Sequence, residues 1–278
     1  MERLTISQRI SIERSSSRPH IGDFIKVLFT DFFEQKGDHL FDDDKSIYGG
    51  IARFHGIPVT VLGHRKGHTI EDNIEYNYGM PRPEGYRKAL RIMKQAEKFS
   101  RPIITFVDTP GAFPGEEAEK HGQGEAIARN LAEMSHLAVP IITVVTGEGN
   151  SGGAIAISVA NKVIMMENAI YSVLSPEGFA SILWGDAGRA REACDLMKIS
   201  SYDLKKEGFC DVIIKEPEGG LRIDSKKEIE ELDAELLSIL NDYSKMTTQD
   251  IIAERREKFR NMDSYLYYKN LEDKKMLL

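Results

Sequence analysis

Two nearly identical apolar segments constrain the fold of this chain more than any other feature. They are PIITFV at residues 102–107 and PIITVV at residues 140–145, and they lie 38 residues apart. Short, fully apolar runs of this kind are typical of strands that are buried on both faces of a sheet. Apolar residues recur at helical spacing before each run: Tyr86, Leu90, Met93 and Ala96 before the first, and Ile127, Leu131, Met134 and Ala138 before the second.

This repeat predicts a β-strand that alternates with an α-helix. Right-handed crossovers make successive strands of such a unit parallel, so their carboxyl ends open on one edge of the sheet. The residues that follow the two strands, from Asp108 and from Thr146 onward, are therefore expected to lie close together. The sequence thus predicts an α/β protein.

The rest of the chain adds further elements. Two β-rich runs predict a hairpin at 48–63. The other predicted elements are helices at 22–37, at 176–184 and in a C-terminal region from about 225, and strands at 163–166, 171–174 and 212–214. Residues 1–20 mix Ser and Arg without a sustained apolar period, which predicts a flexible, poorly ordered N-terminal arm before a single domain at 21–278. The acidic run at 42–44 predicts a solvated loop.

Composition limits the broad class of protein. With 278 residues and 41% apolar content, the chain is long enough to build a sizeable core. Its net charge of -7 argues against a dedicated nucleic-acid-binding protein. The two cysteines, Cys194 and Cys210, give neither a disulfide framework nor a zinc-ligand spacing. The sequence shows no apolar secretion signal and no run of the roughly 18 residues needed to span a bilayer, which predicts a cytoplasmic protein without a membrane role.

Glycine-rich turns follow both predicted strands. The first is DTPGAFPG at 108–115, where Gly111 permits a backbone shape that exposes N–H groups. The second is GEGNSGGAIAIS at 147–158, where Gly152 and Gly153 let a ligand oxygen approach the backbone at the start of a helix. Such turns can stabilise an oxyanion. An ordinary strand-to-helix turn, or close packing of helix on strand, would also explain the same glycines.

A serine nucleophile is the rival interpretation of the second turn. Residues 149–153, GNSGG, fit the G-x-S-x-G motif that presents a catalytic serine between a strand and a helix. In that class of hydrolase the catalytic histidine follows the serine, whereas all seven histidines here, the last being His136, precede Ser151. A chymotrypsin order of residues belongs to an all-β fold, which this pattern does not match. The order of residues therefore disfavours a serine hydrolase.

A basic segment lies between the hairpin and the first long helix. Residues 63–86 concentrate basic side chains: His64, Arg65, Lys66, His68 and Arg82. These side chains could bind phosphate or carboxylate groups, and an arginine would do so with two hydrogen bonds. A solvated charged loop is the alternative. No histidine pair in the segment has helical spacing with a third ligand, so metal binding is disfavoured.

Six motifs in a fixed order resemble a known family. They are GHRKG, NYGMPRPEGYRKALR, PIITFVDTPGAFPG, GQGEAIARNL, GEGNSGGAIAI and YSVLSPEGFASILW, and the similarity runs from about Leu28 to Gly220. Together they are similar to the carboxyltransferase α subunit of bacterial acetyl-CoA carboxylase. The resemblance implies a crotonase-like (ClpP/crotonase) spiral fold of repeated ββα units with flanking helices, which agrees with the repeat described above.

The resemblance also implies an activity and partners. It implies a biotin-dependent transferase that moves a carboxyl group from carboxybiotin to acetyl-CoA and so forms malonyl-CoA for fatty-acid synthesis. The biotin would be supplied in trans by a biotin carboxyl carrier protein, since Lys94 and Lys198 each follow a Met but neither lies in the Ala-Met-Lys-Met pattern of biotinyl domains. A zinc-bearing β subunit would complete an α2β2 assembly, and this chain would hold no metal.

The chemistry that the resemblance implies needs no base or nucleophile on this chain. Carboxybiotin releases CO2 and leaves a ureido oxyanion, which can take the proton from the acetyl thioester, so two oxyanion holes suffice. By resemblance, the catalytic amides are those of Gly111 and Ala112 in the first turn and of Gly152 and Gly153 in the second, at the interface with the β subunit. Candidate substrate-binding residues are Arg65, Lys66 and Arg82 of the basic segment, and Phe113, Asn150 and Ser151 of the two turns.

Other functional classes stay open on the sequence alone. A self-contained crotonase-like hydratase or isomerase acting on acyl-CoA would carry an acid or base beside the holes, for which Glu148 and Glu116 are candidates. A biotin-dependent acyl-CoA decarboxylase subunit is a second alternative. A non-catalytic scaffold that retains the fold and binds partners is a third.

Overall fold

The computed structural model describes residues 4–262 of the chain. Twelve α-helices lie in this range: α1 Ile6–Glu13, α2 Ile21–Leu28, α3 Ile70–Glu75, α4 Pro83–Lys98, α5 Glu116–Lys120, α6 Gln123–Met134, α7 Ser151–Ile155, α8 Pro176–Trp184, α9 Ala190–Met197, α10 Ser201–Lys206, α11 Lys226–Tyr243 and α12 Thr248–Asn261. Eight strands accompany them: β1 Thr30–Glu34, β2 Ile47–Phe54, β3 Ile57–His64, β4 Ile103–Thr109, β5 Ile141–Asn150, β6 Lys162–Met166, β7 Ile170–Ser172 and β8 Val212–Ile214.

The eight strands within residues 4–262 form one mixed sheet. Its order is β1-β2-β3-β4-β5-β6-β8, and β7 pairs with the end of β5. Strand β2 pairs antiparallel with both β1 and β3, whereas the pairs from β3 through β4, β5 and β6 to β8 are parallel. The two copies of the sequence repeat pair in register, with Ile103 opposite Ile141 and Val107 opposite Val145. Their carboxyl ends therefore lie side by side, as the repeat predicts.

The centre of the sheet is buried on both faces. Both β4 and β5 are buried along their whole length, which is why their sequences lack the alternation of a half-exposed strand. Helix α4 packs against β2, β3 and α6 and buries Met93 and Ala96 completely. It begins with Pro83, a residue suited to the first helical turn because its missing N–H would have no acceptor there.

Residues 4–20 are ordered, which corrects the prediction of a poorly ordered arm for this part of the N-terminal segment. Helix α1 opens with a capping box, in which Thr5 and Gln8 accept hydrogen bonds from each other's backbone N–H groups. Ile10 is buried in a small apolar cluster with residues of β7 and α9. Farther along, Arg18 is buried and pairs with Glu216 at 2.7 Å. These local and long-range contacts outweigh the Ser- and Arg-rich composition on which the prediction depended.

The predicted helix at 22–37 is wrong in its second half. Helix α2 ends at Leu28, and β1 then pairs antiparallel with β2 at the edge of the sheet. Phe29 leaves the helical conformation and packs with its ring centroid 5.5 Å from that of Phe54. Helical spacing of apolar residues continued past the true end of the helix because the strand buries one face as well.

The acidic run at 42–44 is also more ordered than a solvated loop. Asp43 Oδ1 accepts a hydrogen bond from Lys88 Nζ at 2.6 Å, and Asp44 Oδ2 accepts one from Arg82 N–H at 2.6 Å. Both partners lie at or near the start of α4. The carboxylates therefore hold this turn against that helix, where Asp44 is buried.

The other predicted elements are confirmed, except that the strand predicted at 171–174 is β7, which ends at Ser172. The hairpin turns at His55 and Gly56, α8 begins with Pro176, and α11 and α12 follow the predicted C-terminal pattern. The part of the predicted C-terminal region beyond residue 262 lies outside the described residues. Across residues 4–262, no helix is both long enough and apolar enough to cross a membrane.

Candidate functional site

The two glycine-rich turns are in direct contact. Thr109, at the end of β4, lies opposite Gly149 of β5. A Cβ atom added to Gly153 would lie 2.5 Å from the carbonyl carbon of Gly111 and 2.7 Å from the nitrogen of Ala112. Only a glycine at 153 lets the two backbones approach this closely. The predicted proximity of the two turns is therefore confirmed.

The first turn exposes one particular amide. The N–H of Gly111 donates to Thr109 Oγ1 at 3.0 Å, and the N–H of Phe113 donates to the carbonyl of Pro81 at 3.0 Å. No group among residues 4–262 accepts a hydrogen bond from the N–H of Ala112. Gly111 has a φ of +146°, a backbone shape that favours glycine. Its contribution is thus the shape of the turn, and the amide available to a ligand is that of Ala112.

The second turn contributes the first amides of α7. The opening N–H groups of a helix have no acceptor inside the helix, and the Asn150 side chain does not cap them. Ser151 adopts a left-handed φ of +59°. A Cβ on Gly152 would meet only the Ile127 side chain, at 3.2 Å, so this glycine stands in a more open position than Gly153. The amides of Gly152 and Gly153 therefore begin the helix beside the amide of Ala112.

His64, at the end of β3, hydrogen-bonds to the backbone of both turns. Its Nδ1 accepts a hydrogen bond from Asp108 N–H at 3.4 Å, and its Nε2–H donates to the carbonyl of Gly153 at 3.2 Å. The ring is buried, and burial lowers its pKa to about 3. A neutral imidazole with its proton on Nε2 fits both contacts.

Lys66 lies two residues farther along and is held by two carboxylates. Its Nζ donates to Asp108 Oδ1 at 2.7 Å and to Glu148 Oε1 at 3.0 Å. Burial alone would lower the pKa of Lys66, but these two carboxylates raise it well above its ordinary value. In turn, Lys66 and His20 hold the pKa of Asp108 well below its usual range against the effect of burial. The side chain that was predicted to bind substrate is thus engaged within the protein.

Glu13 is a member of this charged cluster that sequence reasoning missed. It is buried, its Oε2 has no hydrogen-bond partner among the described residues, and burial raises its pKa to about 8. With Lys66, Asp108, Glu148 and others it lines a cavity of about 320 Å³. The capping box of α1 was the sequence signal that could have placed Glu13 on an ordered helix.

The remaining predicted substrate-binding residues are placed around the turns rather than at one point. The Arg65 guanidinium lies between the rings of Tyr48 and Tyr76, at 4.4 and 4.1 Å from their centroids. Arg82 lies 4.8 Å from the ring centroid of Phe113. Arg82 lines a different cavity from α7.

Asn150 is fully buried, and its side chain contacts protein rather than solvent. Its Nδ2 donates to Glu148 Oε2 at 3.2 Å, and its Oδ1 accepts from Ser172 Oγ at 2.8 Å. The structure therefore brings Gly111, Ala112, Gly152 and Gly153 together, with Asn150 bonded beneath them.

An apolar cavity opens beside the second turn. It has a volume of about 610 Å³, and its lining comes from α7, β7, α8 and the segments around α9 and α10. Lining residues include Gly152, Tyr171, Leu174, Phe179 and Phe209. Such a space, with few polar groups at one end, is typical of a small-molecule site.

Ser151 is exposed at the rim of that cavity, and its left-handed φ resembles that of a nucleophile elbow. No histidine among residues 4–262 hydrogen-bonds to its hydroxyl. The buried His64 uses both ring nitrogens on backbone groups. The arrangement of a serine hydrolase is therefore not formed.

Across the described part of the chain, no group of three or more His, Cys, Asp or Glu side chains could hold a metal ion.

The fold places the chain in a class of proteins. Its structure resembles that of transcarboxylase 12S with a TM-score of 0.67, at 19% identity over 86% of this chain and 44% of that chain, so it spans less than half of that protein's length. It resembles a Pseudomonas malonate decarboxylase hetero-tetramer with a TM-score of 0.63, at 17% identity over 82% of this chain and 91% of that one. The class is that of the crotonase-like folds, which confirms the fold that the sequence predicts.

Sequence comparison identifies the family within this class. Residues 1–263 match the model of the family described as acetyl co-enzyme A carboxylase carboxyltransferase-like. The acetyl-coenzyme A carboxylase carboxyl transferase subunit alpha of Clostridium botulinum (strain Eklund 17B / Type B) is 52% identical over 92% of this chain and 93% of its own length. The subunit of the same name from Bacillus cereus (strain G9842) is 52% identical over 92% of this chain and 79% of its own length. The chain belongs to this carboxyltransferase family, and the resemblance seen in the motifs is confirmed.

Proposed function

We propose that this chain is the α subunit of a carboxyltransferase that moves a carboxyl group from carboxybiotin on a carrier protein to acetyl-CoA, forming malonyl-CoA. The observation that carries the proposal is the contact between the two glycine-rich turns, which sets the free amide of Ala112 beside the first amides of α7. Membership of the family supplies the substrates, since the relatives are named for acetyl-coenzyme A carboxylase. A cytoplasmic location remains a prediction.

The amides of Ala112, Gly152 and Gly153 would stabilise negative charge on an oxygen atom. Backbone donors fixed before the reaction need no reorganisation as charge develops, and one such donor is worth about 2.7 to 4 kcal/mol. The biotin ring would supply the carboxyl group and, after its loss, the ureido oxygen that carries the charge. The glycine at 153 lets the two turns approach closely enough for these amides to act together, because a side chain there would collide with the backbone of Gly111 and Ala112.

The apolar cavity beside Gly152 gives a place for the rest of the ligand. Its aromatic and aliphatic lining suits the ring system and alkyl chain of biotin, which have little charge. We assign biotin to this side of the site, with the amide end of the cavity facing the reacting groups. The residues that would hold it are those of α7, β7 and α8.

A partner subunit is proposed at the same surface. Large apolar side chains around the cavity are exposed to solvent: Ile155, Val173, Ile182, Leu183 and Leu196. Exposed apolar patches of this kind mark interaction sites. We assign this surface to a zinc-bearing β subunit, which would bring acetyl-CoA and complete an α2β2 assembly.

The positions of Glu148 and Glu116 argue against the alternative of a self-contained hydratase or isomerase. Glu148 is bonded to Lys66 and Asn150, and Glu116 is exposed on α5 in an ion pair with Lys120. Neither carboxylate is presented as an acid or base beside the amide of Ala112.

The proposal is tested by reconstitution. The chain, a zinc-bearing β subunit from a relative and a mixture of both are incubated with malonyl-CoA and free biotin, and loss of malonyl-CoA is followed in the reverse direction. We expect biotin-dependent decarboxylation only in the mixture. Activity of this chain alone would contradict the two-subunit assignment, and an inactive mixture that still forms a complex would favour a scaffold.

A further inference from the structure

We propose that Lys66 is a positioning residue that ties Asp108 to Glu148 and so fixes the spacing of the two glycine-rich turns, rather than a ligand of the substrate. The proposal rests on the proposed function, because the turns carry the amides that were assigned above. It concerns three members of the charged cluster described above: Lys66, Asp108 and Glu148.

Lys66 connects the two strand ends from which the turns begin. Asp108 is the next-to-last residue of β4, and Glu148 lies two residues before the end of β5. Lys66 Nζ reaches both, at 2.7 and 3.0 Å, and the three side chains are only 16%, 6% and 8% exposed. Asp108 Oδ1 also accepts the backbone N–H of Glu148 at 3.3 Å. One ammonium group therefore spans the β4–β5 junction.

The chain leaves room for this junction at Gly147. A Cβ atom at that position would lie 2.3 Å from Asp108 Oδ1 and 2.8 Å from Glu13 Oε1. A residue with a side chain would displace the carboxylate that Lys66 contacts. The glycine of the second motif, GEGNSGG, is thus needed for the charged cluster as well as for the turn.

The cluster is connected to α7 through one further side chain. Glu148 Oε2 accepts from Asn150 Nδ2 at 3.2 Å, and Asn150 Oδ1 accepts from Ser172 Oγ at 2.8 Å. Asn150 immediately precedes the amides of α7. A shift of Glu148 would therefore move the residue that sets the direction of those amides.

The balance of charge explains why a cation is required. Asp108 also faces His20, whose Nδ1 lies 3.2 Å from Asp108 Oδ2, and Glu148 faces Arg14 at 3.5 Å. Glu13 lies against the same groups, where burial raises its pKa to about 8, and Arg18 is already paired with Glu216. Without Lys66, two buried carboxylates would repel each other across the junction.

The test uses the reconstituted assembly with the β subunit and four variants of this chain. Lys66→Met, Glu148→Gln and the double variant are compared with Lys94→Met, a control in which an exposed lysine that pairs with Glu133 is removed. For Lys66→Met we expect kcat to fall about 10²-fold, the loss typical of a displacement near 1 Å, with KM for malonyl-CoA and biotin within about twofold. The double variant should have a kcat no lower than that of Lys66→Met alone, because both changes remove the same interaction.

A second readout needs no activity. Hydrogen exchange of the peptide at 147–157 should be faster in Lys66→Met than in the wild-type chain, while exchange in α11 stays the same. A raised KM with unchanged kcat would show that Lys66 binds substrate and would overturn the proposal, as would unchanged exchange. If the wild-type assembly is inactive, the proposed function fails, while the exchange measurement still decides whether Lys66 fixes the turns.

Discussion

Replacement of Gly153 by alanine tests the contact between the two turns most sharply. The added Cβ would lie 2.5 Å from the carbonyl carbon of Gly111, 2.7 Å from the nitrogen of Ala112 and 2.9 Å from the Cα of Gly111. All three are backbone atoms, so no flexible side chain can move aside. Ordinary contact begins at 3.4 Å, which means that the turns must separate by about 1 Å.

The expected effect on activity is large compared with that on stability. A displacement of about 1 Å in a catalytic site can lower the rate about 10²-fold, and loss of a single oxyanion donor lowers it by about 10² to 10³. Overpacking of this kind typically costs about 1 to 3 kcal/mol of stability. We therefore expect Gly153→Ala to remain folded but to lose at least about 99% of kcat in the reconstituted assembly.

A matched glycine provides the control. Gly124 lies on α6, and a Cβ added there would meet no atom within 4 Å. Gly124→Ala should keep wild-type activity and match or exceed wild-type stability, since alanine favours a helix by up to about 1 kcal/mol. Activity and urea unfolding are measured on both variants. If Gly153→Ala kept activity within about threefold of Gly124→Ala, the close approach of the turns would not matter for function.

Three further predictions concern buried ionisable groups. Burial raises the pKa of Glu13 from 4.5 to about 8, so between these values the folded chain holds a proton that the unfolded chain has lost. The free energy of unfolding should therefore fall by up to about 1.4 kcal/mol per pH unit as pH rises through that window. Urea unfolding should show a flatter slope for Glu13→Gln, and an unchanged slope would contradict this role of Glu13. Burial lowers the pKa of His64 from 6.5 to about 3, so an NMR titration should find a neutral ring with its proton on Nε2 at about pH 5. A titration midpoint near 6.5 would refute this. Because the unfolded chain takes up a proton that the folded chain does not, His64 should also lower the stability of the fold as pH falls below 6.5. Arg18→Met should destabilise the chain by about 3 to 5 kcal/mol because it leaves Glu216 buried without its partner, whereas a loss below about 1 kcal/mol would refute that reasoning.

The repeated segments explain why the centre of the fold could be predicted from the sequence. Each six-residue run is apolar apart from one threonine, as is typical of a buried parallel strand, and the two runs pair in register from Ile103 and Ile141 onward. Parallel strands then bring their carboxyl ends together without further information. The placement of Gly111 beside Gly153 follows from the same geometry.

Composition was a weaker guide where long-range contacts decide the structure. Residues 1–20 lack apolar periodicity, yet Arg18 forms a buried ion pair with Glu216, nearly 200 positions away. No local pattern predicts such a partner. The same holds for Asp43, whose cation comes from α4 rather than from its own turn.

The candidate site could likewise be predicted only in part from the sequence. The identity of the turns could be read from their glycines and their place after buried strands. The sequence does not show which amide is free, because this depends on two contacts of the fold. Thr109 Oγ1 accepts a hydrogen bond from the N–H of Gly111, and the carbonyl of Pro81 accepts one from the N–H of Phe113. The engagement of Lys66 within the protein was hidden for the same reason, since Asp108 and Glu148 are distant from it in the sequence.

The two turns are proposed to bind together the oxygen of biotin that carries negative charge. A crystal structure of the reconstituted assembly with biotin bound would test it most directly. We predict that the ureido oxygen lies about 2.7 to 3.1 Å from the amide nitrogen of Ala112 and from that of Gly152 or Gly153. A ureido oxygen bound elsewhere, with none of these amides within about 4 Å, would exclude this role of the turns.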